Sequence, residues 1–392
     1  MTALRLATAG VRVALLEEKH TFRGKVCGEF ITPEAFPNLE RAGVMGAVMG
    51  AGARKLNRLV LCALNGRRVE AGISTVSNAG EWALSLSRNR LDAILFDHAR
   101  KAGADCIRRV AVKRADHTDK QRTNVEGMSL ATGKTLAFRG DIVVDASGRN
   151  SRLAGRLKPS ALGRGDRLYA MKAHVSGIHG IEGAVALFFF PGGYGGISEI
   201  EDGLANVCFI AGEGLIRSQG GNGDAVLTKT MMVNPAARDW LSGARVAEGW
   251  LTVGPLSFGQ RHPQSDGLLA VGDAGGMNDP FTGTGIMMAL RGGEIAADAI
   301  LESLGPAGSG QRVPGPDSLK RAVASYRKRY AAEVARPMAM AARLRQAAFS
   351  PRIANLLAAV FTKVPGAATW VLKRTRASAL NGTFDQDRRV LE

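Results

Sequence analysis

Residues 266–303 read DGLLAVGDAGGMNDPFTGTGIMMALRGGEIAADAILES. An apolar run ends at Gly272-Asp273, a Gly/Pro-rich turn carries Pro280, Gly283 and Gly285, and a helical pattern opens near Thr284. The order is strand, acid, glycine-rich turn, helix start. Unpaired N–H groups and the positive dipole end at such a start suit an anionic group. Asp273 is placed to bond a ribose or ribitol hydroxyl, and the small residues let backbone approach a flat ligand closely. The residues fit a nucleotide-cofactor site. They also fit an ordinary strand–turn–helix whose glycines serve geometry alone.

The rest of the chain bounds the class. Its 392 residues suffice for a large core and one to three domains. The 49 glycines show no three-residue period, which excludes a collagen-like chain and leaves many tight turns. The formal charge of +17 comes from dispersed basic residues, with no recognition helix, zinc finger or aromatic–basic repeat, so no nucleic-acid partner is expected. Cys27, Cys62, Cys106 and Cys208 form neither a metal spacing nor a CxxC pair. The six histidines show no HExxH-type spacing, so no metal is expected. No uninterrupted apolar run reaches about 18 residues, and the start lacks the order of a signal peptide. A reducing, cytoplasmic setting fits these features.

GDAGGMNDPFTGTGIMMAL resembles the second FAD motif of the group A flavoprotein monooxygenase and geranylgeranyl-reductase superfamily. The resemblance implies that Asp273 contacts the FAD ribitol or pyrophosphate. It also implies that the loop with Pro280, Gly283, Thr284, Gly285 and Ile286 lies near the isoalloxazine ring. Four further stretches carry it. Phe22–Phe30, FRGKVCGEF, resembles the loop that covers the flavin in geranylgeranyl reductases and halogenase-like flavoproteins, with Arg23, Lys25 and Cys27 in the cofactor set. A redox role for Cys27 competes with that of a small packing residue, and no resolving cysteine lies near it in sequence. Ser87–Leu95 starts a helix capped by Ser87, in which Arg88 matches the arginine that meets FAD phosphate or ribitol and Asp92 reads as a structural partner. In DIVVDASGRNS, Asp145 and Gly148 match a further cofactor motif, although a strand-end turn alone would select the same residues. Val112 is the candidate for adenine contact.

Val11–Leu16 is a short apolar strand closed by Glu17, the place of the acid that binds the adenosine ribose in a dinucleotide fold. The same residue also fits a solvated strand end. The first strand and Gly-x-Gly-x-x-Gly turn of such a fold, about 12–16 residues further upstream, do not occur in the sequence. That turn holds the pyrophosphate and that strand is central in the sheet. Without them, a weakened sheet and weak or absent FAD binding are expected.

The expected fold class is α/β. It comprises a Rossmann-like FAD/NAD(P)-binding domain lacking its first strand, an antiparallel-sheet substrate domain and a helical C-terminal tail. The cofactor domain would combine residues 1–54, 85–160 and 259–305. The substrate domain would combine 55–84 and 161–258, and 306–392 would form the tail. Residues 55–72 read as a hairpin around Asn65-Gly66. Phe188–Gly196, FFFPGGYGG, resembles the family's PGGYGW segment, with Gly196 where relatives often carry Trp. Phe190, Tyr194 and Gly196 are therefore the substrate-pocket candidates, although the three phenylalanines also fit plain core.

By resemblance the activity is that of an FAD-dependent oxidoreductase. An NAD(P)H-using monooxygenase acting on an apolar or aromatic small molecule stands first. Reduction of a C=C bond in an isoprenoid or lipid is the alternative, and a shortened, non-catalytic protein is the third reading. NADPH or NADH is the expected electron donor. No catalytic residue is assigned, and the oligomeric state is left open. In the tail, Pro337 should kink a helix over 317–348. Apolar segments at 351–361 and 366–376, with Lys363, Lys373, Arg374 and Arg376 nearby, suit a packed cap or peripheral contact with an anionic membrane.

Overall fold

The computed structural model describes residues 1–77, 79–119, 122–153, 161–162, 166–261, 268–304 and 318–349. The basic-edged segments at 351–361 and 366–376 lie outside the described residues.

The cofactor-side half is built from parallel strands and helices. Ala14–Glu17 pairs in parallel with Asp105–Arg108, and Val143–Asp145 pairs in parallel with Leu268–Ala270. The two pairs are not hydrogen-bonded to each other. Helices Thr2–Thr8, Arg88–Lys101 and Gly285–Ser303 bury Leu4, Leu6, Leu91, Ile295 and Ile300 in one core with Leu269. The Gly285–Ser303 helix is apolar around most of its circumference, as a helix enclosed by protein must be. Thr2 Oγ1 donates to the Gly293 carbonyl at 2.7 Å, and a side chain at 293 would come within 3.1 Å of Met1 and Thr2. A glycine there lets the two helices approach closely.

The other half is mainly antiparallel. In the largest sheet, Asp166–Ser176, Ala205–Gly212, Gly193–Glu199 and Ala184–Phe190 follow in that order. Ala184–Phe190 pairs in parallel with Arg58–Cys62, which returns through a turn at Gly66 (φ +80°) to Arg68–Gly72. The hairpin read from Asn65-Gly66 is therefore present. Arg245–Val253 pairs with Asp166–Ser176. Helices Gly223–Lys229 and Pro235–Leu241 accompany this sheet, and Val226, Ala237 and Leu241 share its core with Phe188 and Phe209.

Ser318–Tyr330 and Arg336–Phe349 are joined by a π-helical turn, Ala331–Ala335. The irregularity precedes Pro337 because proline lacks an N–H and its ring crowds the carbonyl four residues back. Among the described residues no helix is long and apolar enough to cross a membrane.

Candidate cofactor and substrate cleft

A cleft of about 3130 Å³ separates the two halves. One wall comes from Ala14–Glu17, the 24–30 loop, the start of the Arg88 helix, Val143–Gly148 and the turn before the Gly285 helix. The other comes from the 59–69 hairpin and the strands around Phe189, Tyr194 and Val253.

The turn that opens the Gly285–Ser303 helix is built around forced glycines. A side chain at Gly275 would lie 2.5 Å from the Ala270 carbonyl oxygen, and one at Gly276 would lie 2.8 Å from that of Gly259. Gly272 and Gly283 sit at φ +56° and +67°. Asp279 caps the Pro280–Thr282 turn by accepting from the Phe281 N–H at 3.1 Å. Asp273 stands beside this turn and projects into the cleft. Its carboxylate makes no hydrogen bond or ion pair with any described residue, whereas Arg261 anchors its carbonyl at 2.6 Å. Protein around the cleft raises the Asp273 carboxyl, and Arg88, Arg261, Lys25 and Arg149 only partly oppose that shift. An unpaired acid in a cationic, glycine-lined cleft is arranged for the hydroxyls of a ligand that also carries negative charge.

Residues 1–178 match the family model described as an FAD binding domain. The digeranylgeranylglycerophospholipid reductase of Methanosarcina acetivorans is 30% identical over 283 residues, 68% of this chain and 62% of that protein's length. The reductase of the same name from Methanothrix thermoacetophila is 27% identical over 323 residues, 79% of this chain and 76% of that one. Among solved structures, the flavin-dependent brominase Bmp2 gives a TM-score of 0.75 at 16% identity, covering 95% of this chain and 89% of that one. PqsL of Pseudomonas aeruginosa, in complex with 2-aminobenzoylacetate, gives 0.70 at 16%, covering 90% and 94%. The structural likeness is one of fold.

Residues 1–178 thus match an FAD binding domain, and most of the chain is similar to geranylgeranyl-reductase-type proteins.

The cleft gathers most of the residues singled out in the sequence. Glu17, Lys25, Cys27, Arg88, Val112, Asp145 and Gly148 line it, as do Asp273, Pro280, Gly283, Gly285 and Ile286. Two cofactor candidates do not. Arg23 is exposed outside the lining. Thr284 is buried and accepts from Asn278 Nδ2 at 2.9 Å, so it braces the turn from behind.

Lys25 and Arg88 share a partner. Asp92 accepts from Arg88 at 2.9 and 3.0 Å and pairs with Lys25 at 2.8 Å. Burial would raise the Asp92 carboxyl, but the two cations hold it below the usual range. Burial likewise opposes the Arg88 charge, and Asp92 and Cys27 more than offset it. Asp145 accepts from the Ser147 N–H at 2.9 Å and from both the Ser147 and Ser151 hydroxyls. Its carboxylate is thus engaged in shaping the turn, while Gly148 (φ +81°) offers backbone to the cleft.

Of the three phenylalanines, Phe189 and the expected Phe190 both line the cleft, to different extents. Phe188 and Phe190 are buried in the sheet core, Phe190 against Phe209, with only an edge of Phe190 reaching the cleft. Phe189 points the other way and meets Phe281 at 6.0 Å. Tyr194 packs on Phe281 at 5.6 Å and donates to Asp279 at 3.0 Å. Gly196 also lines the cleft, and a side chain there would meet only the Ala186 carbonyl oxygen, at 3.4 Å.

These residues fit FAD. Asp273 is unpaired, the turn needs glycine at backbone positions facing the cleft, and the volume exceeds the roughly 300–1,000 Å³ of a single small-molecule pocket.

Proposed function

We propose that this flavoprotein reduces a carbon–carbon double bond in an elongated apolar substrate, with NADPH or NADH as electron donor. The observation that carries this reading is an apolar cleft lining in which Phe281 and Phe189 adjoin Leu187, Leu61 and Leu59 along the paired strands, with Leu64 at the hairpin tip. Leu64 and Val69 are 59% and 42% exposed on the hairpin, so the lining opens outward. A lining of this kind fits a flexible hydrocarbon better than a compact ring. The reductase relatives, matched over more than two thirds of the chain, support the same class. Hydroxylation, which stood first on sequence alone, becomes the second reading. It is favoured by the Phe189–Phe281–Tyr194 cluster, whose ring faces suit an aromatic substrate.

Bound FAD would supply the two-electron chemistry, and the net reaction adds two electrons and two protons across the double bond. The chain's own part is to bind, orient and exclude water. Asp273 would accept from sugar or ribityl hydroxyls, and Glu17 from those of the adenosine. Lys25 and Arg88, already steadied by Asp92, would oppose the phosphate charge. The Gly283–Gly285 backbone would lie against the ring, and Phe189 with Phe281 would keep water from it. Peripheral contact with an anionic lipid surface belongs to the same proposal, because an apolar substrate resides there.

The test begins with visible spectra of the purified chain after FAD addition and desalting. Retained flavin peaks, followed by NAD(P)H oxidation and a product two hydrogens heavier, support reduction. Oxygen uptake with a hydroxylated product supports the second reading. Absence of any retained flavin would overturn both. Failure to bind anionic liposomes at low salt would remove the membrane contact.

A further inference from the structure

The described residues bury a set of charges around Glu29 that the cofactor chemistry does not use. Glu29 is fully buried and sits at φ +54°, a left-handed backbone that glutamate adopts only where its surroundings hold it. One carboxylate oxygen accepts from Lys172 Nζ and from the Arg88 backbone N–H at 2.8 Å. The other lies 2.7 Å from His174 Nε2. Lys172 and His174 project from one face of the Asp166–Ser176 strand and are 1% and 2% exposed. His174 Nδ1 lies 2.9 Å from Glu248 on the neighbouring strand. Glu29 is the single hydrogen-bond or ion-pair partner of the Lys172 ammonium among the described residues.

Such a set is costly, since an apolar group of the same volume usually serves stability as well as a buried ion pair does. What it accomplishes follows from the chain attached to Glu29. Residues 24–29 form the cleft wall that carries Lys25 and Cys27. Cys27 Sγ accepts from the Glu29 N–H at 3.3 Å, and the Cys27 carbonyl accepts from Asn206 Nδ2 at 3.1 Å. Two strands of the antiparallel sheet and the first turn of the Arg88 helix therefore grip the same short stretch.

We propose that Glu29 is a positioning residue of the cleft. Drawn onto Lys172 and His174, it pins residues 24–29 so that Lys25 and Cys27 keep one place on the wall. That this wall then meets a flavin rests on the function proposed above.

Cys27 serves as the reporter. Its alkylation by iodoacetamide is followed by peptide mass spectrometry on the full chain without flavin, in the wild type, E29Q/K172M and H174Q. The double variant removes both charges together, so no lone buried ion opposes folding. Its Cys27 rate should rise roughly 5–30-fold, the effect of losing one or two kcal/mol of local stability. H174Q keeps the Glu29–Lys172 pair and should give a smaller rise. E294Q, which removes a buried carboxylate from a different cluster, should lower thermal stability and leave the Cys27 rate unchanged. Wild-type Cys27 rates in both network variants, whatever their melting temperatures, would overturn the proposal. Neither flavin nor turnover enters this readout, so its failure and the failure of the oxidoreductase reading are told apart.

Discussion

The Tyr194 hydroxyl reaches from the antiparallel sheet to the Asp279 carboxylate, 3.0 Å away, on the turn that opens the Gly285–Ser303 helix. Asp279 uses the same oxygen to cap the Phe281 N–H. The antiparallel sheet and the glycine-rich turn are thereby joined at one carboxylate. Y194F removes the donor and leaves a buried charge with one partner fewer. It should lower stability by about 1–3 kcal/mol, read by urea denaturation. Turnover of an apolar substrate should fall more than flavin affinity does, because the lost bond fixes the two walls relative to each other.

Asp273 predicts opposite signs for folding and binding. No described side chain pairs with its carboxylate, and surrounding protein raises its pKa. A carboxyl whose folded pKa lies above its unfolded value binds more protons in the native state. Its contribution to stability therefore falls as pH rises from the unfolded pKa through the folded one. D273N removes that penalty, so the flavin-free chain should melt no lower than wild type at neutral pH. FAD affinity should drop roughly tenfold to a hundredfold, the range for losing a charged hydrogen bond. Fluorescence titration with FAD and a melting curve check both. A large loss of stability with unchanged affinity would remove Asp273 from the cofactor set.

Glu294 carries the converse sign. It is 1% exposed and accepts from Arg41 at 2.7 and 2.9 Å and from Arg291 at 2.7 Å, with Arg5 at 3.3 Å. Burial opposes its charge, but the hydrogen bonds and charges of Arg41 and Arg291 hold its carboxyl below the usual range. The stability it supplies is present above the unfolded carboxylate pKa and is lost as pH falls through the lower folded value. E294Q should cost about 3–5 kcal/mol at pH 7, as removal of one partner from a buried ionic cluster does. The gap between variant and wild type should close as pH falls. A gap independent of pH between 7 and 3 would refute the assignment.

Much of the cofactor side was legible because its signals are local. The acid, the proline and the glycines from Asp273 to Gly285 specify a turn within thirteen residues, and Asn65-Gly66 specifies its hairpin in two. The antiparallel sheet was legible as a class, but the phase of its strands was not. FFF gives no parity, and the register of Phe189 opposite Tyr194 decides which ring faces the cleft. Glu29, Lys172 and His174 were invisible for a different reason. Their contacts span 143 and 145 residues, and no periodicity links a loop carboxylate to a strand lysine at that distance. A charged Lys and His at alternate positions of an otherwise apolar strand, YAMKAHV, was the one available hint.

Gly196 tests the substrate side directly. In Gly193–Glu199, Gly193 and Gly195 have no room for a side chain, since a Cβ there would lie 2.1 Å from the Ile210 carbonyl oxygen and 2.4 Å from Met231 Sδ. Gly196 is different, because its nearest neighbour is the Ala186 carbonyl oxygen at 3.4 Å and it borders the cleft. The fold therefore tolerates a side chain there, and its absence widens the cleft next to Tyr194. G196W should change stability by less than about 1 kcal/mol, which a melting curve would register. The same indole should fill the apolar lining near Leu187, its partner across the strand pair. With a long isoprenoid substrate the KM should rise at least tenfold, while a short unsaturated analogue should be turned over at close to the wild-type rate. Equal losses for long and short substrates would mean that the lining beside Gly196 does not carry the substrate chain, and the aromatic cluster around Phe281 would then be the place to look for it.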